Sequence, residues 1–239
     1  MKKNLEQNYI SMILVINDEK KDIIDKIEKI DEILNKNFKN SEIIIVDNTV
    51  GKLNLNNLPN SKIKYTLIKL PIKHGNQQAL NAGTAMSIGD YIVEIEDISS
   101  DVDYNKIMDL YKKSQEGYDF VFLTPKKSKR TSEVFYKILN SYFKNIFNSD
   151  ISSSIMSLSS RRGQNKISEV GKRVINRNVA YVLSGLKTFS IITDVEYKNR
   201  RKFSDNLMLM LDTLIYHTDY IMIISQKLSF IFLGFFSLG

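Results

Sequence analysis

The alternation of short apolar runs with helical patterns is what most constrains this chain. "YISMILVIN" (Tyr9–Asn17) reads as a buried strand, and "SEIIIVDN" (Ser41–Asn48) as a second strand ending in an acid. Between them Ile23, Ile27, Ile30 and Leu34 recur at three- and four-residue steps, the stripe of an amphipathic helix. Ile63, Tyr65 and Leu67 alternate as a third strand does. "NQQALNAGTAMSIG" (Asn76–Gly89) suits a helix that packs closely through small residues. "DYIVEIED" is the next strand, Asp103–Gly117 a helix closed by Gly117, and "YDFVFLT" (Tyr118–Thr124) another strand. Strands and helices at this pitch predict βαβ units and a mostly parallel sheet covered on both faces.

Beyond Pro125 the pattern loosens. "PKKSKR" reads as a basic loop, followed by a helix over Ser132–Phe147. The serine-rich stretch Ser149–Arg162 reads as loop with a short strand, Asn165–Asn178 as helix, Leu186–Tyr197 as strand, and Asn199–Asn206 as a basic loop. With 239 residues the chain can bury one substantial core, and no linker separates independent domains. The division expected is a main domain over 1–219 and an apolar segment over 220–239. That segment, "YIMIISQKLSFIFLGFFSLG", is broken by Gln226 and Lys227, and its uninterrupted parts are too short to span a bilayer. A buried terminal helix and a membrane-docking helix both remain open.

The absence of cysteine excludes disulfides and thiolate metal sites and fits a reducing compartment. "MKKNLEQNYI" has no apolar core of a signal peptide, so a cytoplasmic protein is expected, peripheral on the inner face of the membrane if the tail docks there. A net charge of +7 permits anionic partners such as nucleotide phosphates or a lipid surface. No recognition helix or aromatic platform points to nucleic acid.

In open α/β sheets, ligands sit beyond the carboxyl ends of the strands. Asn17, Asp47 and Asp97 all fall at such ends, which makes that edge the candidate site.

In this order, the segments resemble the inverting family 2 glycosyltransferases. Asn17-Asp18-Glu19 is similar to the Asn-Glu-Glu type turn after that family's first strand, and Asp47 matches the terminal acid of its second strand. "KHGNQQALNAGTAMSIGDYIVEIED" resembles the N-x-G-x-x-x-A-x-N-x-G segment and the following G-D-Y strand, through Gly75, Ala79, Asn81, Gly83, Gly89 and Asp90. "EGYDFVFLTPKKSKR" is similar to the later G-Y-D-x-V strand and basic loop. The match covers roughly residues 8–130, and the second half more weakly resembles the polyprenyl- or dolichyl-phosphate sugar transferases.

The resemblance implies an α/β fold of the GT-A type, a mixed, mostly parallel sheet flanked by helices. It implies transfer of a sugar from a UDP- or GDP-linked donor to a lipid-linked or glycan acceptor, with Mg2+ or Mn2+. Asn17, Glu19 and Asp47 would frame the nucleoside, with Lys73 and Gly75 beside them. Glu96 and Asp97 would lie by the diphosphate and cation, and Lys126–Arg130 and Arg200–Lys202 would contact phosphates. Asp97, Asp101 and Asp150 are the carboxylates open to a catalytic role.

Each position has a plainer reading. Asp47 can cap a turn, Gly75 and Gly83 can serve geometry or packing, and Asn17 with Glu19 can be an ordinary helix entry. Lys126, Lys127, Lys129 and Arg130 can be a solvated loop, and His74 and His217 stand alone.

Three departures count against catalysis. The family's Asp-x-Asp pair falls on Glu96 and Ile98, and isoleucine ligates nothing. In the stretch ending in Arg, Ile155 stands at an acid's place and Ser157 at an arginine's, with Asp150 five residues too early. Lys73 stands where the N-x-G segment begins with Asn. A degenerate relative acting as nucleotide-binding or scaffold partner, and an unrelated α/β nucleotide-binding protein, are the other readings.

Overall fold

A computed structural model describes residues 4–20, 22–53, 55, 58–98, 102–126, 130–143, 151–170, 174–195, 203–217 and 219–237. Its strands are β1 (Ile10–Ile16), β2 (Ser41–Asp47), β3 (Lys64–Lys69), β4 (Tyr91–Ile95), β5 (Phe120–Pro125), β6 (Met156–Ser160) and β7 (Thr188–Thr193). They form one sheet in the order β3-β2-β1-β4-β6-β5-β7. Only β6 among them runs antiparallel, wedged between β4 and β5. The mixed, mostly parallel sheet expected from the sequence is what the chain forms.

The continuous apolar character of the first run has a direct cause. Every residue of β1 is buried, because helices cover both sheet faces. Alternate residues split between them. Met12, Leu14 and Ile16 meet helix α1 (Ile23–Asn37) and helix α3 (Lys106–Gln115), while Ile13 and Val15 meet helix α2 (Asn76–Met86). The stripe Ile23, Ile27, Ile30 and Leu34 is wholly buried. A methyl group on Gly83 would lie 2.4 Å from Ile13 Cγ2, so α2 can approach β1 only with glycine there. Gly117, at φ 93, closes the α3 segment as expected.

The second half corrects three expectations. Asn165–Asn178 is not one helix: α5 (Arg161–Val170) and α6 (Arg177–Leu183) are separate. Asn176 caps α6 by accepting the Val179 N–H, so a residue read as helix interior is a helix start. The loop expected over Asn199–Asn206 gives way at Phe203 to helix α7 (Phe203–His217). Helix α4 (Arg130–Phe143) starts two residues before the position expected. It packs Phe135 and Leu139 against Val179, Val182 and Leu214 of α6 and α7. Helix α8 (Tyr220–Ser237) covers the apolar segment.

Candidate functional site

Parallel register brings three strand ends to one edge. Ile16 pairs with Asp47, and Leu14 with Ile95, so Asn17, Asn48 and Glu96 leave adjacent strands at the same side. The edge is held by its own polar groups. Asn48, fully buried, donates to Asn17 Oδ1 and to the His74 carbonyl, each at 2.8 Å, and accepts the His74 N–H at 2.8 Å. One amide therefore ties together the ends of β1 and β2 and the turn that enters α2.

Asp47 is almost fully shielded, and its Oδ1 accepts the Thr49 N–H at 2.8 Å and the Thr49 hydroxyl at 2.6 Å. This is the turn-capping geometry of an aspartate at i with a donor at i+2. The turn continues through Val50 at φ 61, a left-handed conformation that a β-branched residue adopts only under constraint.

The remaining predicted positions fall around this edge unequally. Glu19 is exposed. Lys73 lies 3.8 Å from Asp18 in an exposed pair that contributes little. Gly75 starts α2 with φ −66, where only the flexible end of Gln78 would meet an added methyl. Asp90 accepts the Tyr9 N–H at 2.8 Å, a structural bond. Lys126 is exposed, 3.3 Å from Asp194. Arg130 opens α4. Asp101, Asp150, Lys127, Lys129 and Arg200–Lys202 lie outside the described residues.

Glu96 is not isolated at its strand end. Gln77 on α2 donates to Glu96 Oε1 at 2.6 Å, and Gln77 Oε1 accepts the Arg177 N–H at 3.1 Å. Ile98 is 1% exposed and packs in the main core with Ile16 and Val102. Its place in the fold is that of a core residue, and an isoleucine there offers a cation no ligand. Ile155, at the other missing acid, is core as well.

Behind Glu96 lies an ion pair that the sequence reading missed. Glu94, on β4, and Arg177, on α6, meet at 3.1 Å with both side chains buried. Tyr181 donates to Glu94 Oε2 at 2.6 Å, Thr84 to Glu94 Oε1 at 2.8 Å, and Ser157 to Glu94 Oε2 at 3.3 Å. Burial, then the Glu94 charge, push the Tyr181 phenol well above its ordinary range despite the opposing Arg177. Burial works against the Arg177 charge, but Glu94, Tyr181 and Glu96 together outweigh it and raise the guanidinium further. The available signal was Glu94 itself: a charge in the middle of an apolar strand must find a buried partner.

Among the described residues, no three histidine or acidic side chains converge as a metal site. Glu96 and Asp97 alone do not form a cation cage, and one Glu96 oxygen already accepts from Gln77. What the edge offers is a set of shaped amide and carboxylate hydrogen-bonding groups. His217 sits on α7 beside Tyr216, its Nε2 buried without a hydrogen bond, and burial holds its pKa below the usual value.

No family model matches the sequence, and no curated protein matches it either. Solved structures do match in fold. A glucosyl-3-phosphoglycerate synthase from Mycobacterium tuberculosis, in complex with Mn2+ and UDP-glucose, superposes with a TM-score of 0.58 at 14% identity, covering 87% of this chain and 77% of its own. The same enzyme with phosphoglyceric acid gives 0.57 at 16% identity, over 87% and 78%. A mannosyltransferase from Pyrobaculum calidifontis, in complex with GDP-Man and Mn2+, gives 0.57 at 14% identity, over 89% and 63%. The fold is thus that of the GT-A type transferases.

Proposed function

We propose that this protein is a glycosyltransferase that moves a sugar from a UDP- or GDP-linked donor to a lipid-linked or glycan acceptor. The observation that carries the reading is the register of β2, β1 and β4, which delivers Asp47, Asn17 and Glu96 to one edge. The fold is shared with transferases solved with UDP-glucose or GDP-Man. In this reading Asn17, Asp47 and the exposed Glu19 frame the nucleoside, with Lys73 and Gly75 on the adjoining turn. Amides and carboxylates suit a base edge and ribose hydroxyls, which need directional hydrogen bonds. Glu96 and Asp97 lie toward the diphosphate, and a cation there, Mg2+ or Mn2+, would draw most of its ligands from phosphate and water. The basic segments Lys126–Arg130 and Arg200–Lys202 supply positive charge for a departing nucleoside diphosphate.

One observation favours a second reading, a nucleotide-binding or scaffold partner without transfer. Ile98 and Ile155 are core residues where the family carries acids, so the deficit in carboxylates is built into the packing.

Calorimetric titration with UDP, GDP and their sugar conjugates, with and without Mn2+, separates these. Binding lost in Asp97→Ala, together with release of nucleoside diphosphate from a sugar conjugate, supports transfer. Binding without any turnover supports the partner reading. No binding by the folded protein overturns transfer and nucleotide binding alike and leaves the scaffold role.

A further inference from the structure

Among the described residues, helices α7 and α8 carry a run of exposed large apolar side chains. The inner face of α7 is fixed to the body, with Leu214 and Met210 packed beside Phe135 and Leu139 of α4. Its outer face, Leu207, Met208, Leu211 and Ile215, is exposed. On α8 every residue from Met222 to Ile231 is exposed, Phe230 at 73%. Apolar residues recur around the whole circumference of that helix, which a groove on a protein partner cannot cover. A helix that is hydrophobic all round requires an apolar medium on all sides.

The polar groups of α8 are prepared for such a medium. Ser225 donates to the Met222 carbonyl at 2.8 Å and Ser229 to the Ser225 carbonyl at 2.9 Å, so both hydroxyls keep a partner away from water. Lys227 can extend its ammonium toward headgroups while its methylenes stay in the apolar layer. No single described helix is long and apolar enough to cross a membrane, and α7 meets α8 at a bend of 88°. In sequence, Arg200, Arg201 and Lys202 directly precede α7, on a chain of net charge +7.

We propose that α7 and α8 form a bent element that seats the protein in one leaflet of an anionic lipid bilayer, with α8 among the upper acyl chains and the Lys227 ammonium at the headgroups. The apolar area supplies the partition, and Lys227 with the net charge of +7 supplies the preference for anionic lipid. The inference concerns this surface alone and stands whether or not the strand-end site transfers sugar.

The chain has no tryptophan, so Phe230→Trp gives a single reporter. The full chain carrying it is mixed with phosphatidylcholine vesicles, alone or with roughly one-third phosphatidylglycerol. The expected result is a blue-shifted emission, quenched most by lipids brominated near the headgroup end, with tighter and salt-sensitive binding to the anionic vesicles. The double variant F230E/I231E, at exposed positions, should lower partitioning at least about tenfold and leave the melting temperature unchanged. Unshifted emission with both vesicles overturns the proposal. So does a dimer that F230E/I231E dissociates while vesicles bind neither form, since the surface then belongs to a second copy. Strongest quenching from the bilayer centre overturns the one-leaflet placement.

Discussion

The Arg177 guanidinium sits 3.1 Å from the Glu94 carboxylate in the interior, joining α6 to the central strand β4. Because Gln77 takes the Arg177 N–H and donates to Glu96, the same helix start also braces the strand-end site. Breaking a buried pair leaves an uncompensated charge, so Glu94→Gln or Arg177→Met alone should cost about 3–5 kcal/mol. The double variant should recover much of that loss, because neither charge remains. Urea denaturation of the four proteins measures the coupling, and simply additive costs would show that the two charges do not stabilise each other.

Restoring the family's second acid should fail. Ile98→Asp places a carboxylate among Ile16, Val102 and Tyr104 in the main core. The expected outcome is a loss of roughly 3 kcal/mol or more, with no gain in Mn2+ affinity. Thermal melts with and without Mn2+ check this. A variant stabilised by the metal would mean that the strand end can turn outward.

Two glycines of the resembling segment should behave differently. Gly83→Ala drives a methyl into Ile13 and Val46, at 2.4 and 3.2 Å from their Cγ2 atoms, and should cost about 1–3 kcal/mol. Gly75→Ala meets only the movable end of Gln78 and should cost less than about 1 kcal/mol. Equal losses on denaturation would refute the packing account of Gly83.

His217 sets a pH dependence of stability. Its folded pKa is depressed by burial, so the unfolded chain binds the proton more readily. This penalty is absent above about pH 6.5, the ordinary histidine value, and grows as pH falls below it. The wild-type unfolding midpoint should therefore drop between about pH 6.5 and 5, and His217→Gln should flatten that part of the curve. An unchanged slope in the variant would place the proton uptake elsewhere.

What the sequence discloses about this fold follows from locality. The run Ile10–Ile16 announces a doubly covered strand, and Ile23, Ile27, Ile30 and Leu34 announce the helix over it, because burial imposes its period on nearby residues. The break between α5 and α6 is marked by Asn176, but a capping asparagine and a helix-interior one look alike until the chain on each side is known. Glu94 needed a partner 83 positions away (Arg177), and no local pattern names it. The edge of the candidate site was legible through strand ends, while its internal bracing by Asn48 and Gln77 was not, since those bonds depend on tertiary approach.

Asn48 gives the sharpest test of that bracing. It is fully buried, and all three of its side-chain bonds run to segments at the edge, Asn17 and the turn at His74. Asn48→Ala removes the tie, and frees Asn17 Oδ1, without replacing a residue assigned to the ligand. The His74 N–H then loses its acceptor, which should cost about 1–3 kcal/mol of stability. If the edge binds a nucleotide as proposed, the freed turn must be ordered at each binding event, so the Kd for UDP or GDP should rise about tenfold. Asn48→Asp keeps the acceptor for His74 but sets a buried carboxylate against Asn17 Oδ1 and the His74 carbonyl, and should weaken binding at least as much in calorimetry. Nucleotide affinity unchanged in Asn48→Ala, in a protein shown to be destabilised, would mean that the ligand does not use this edge.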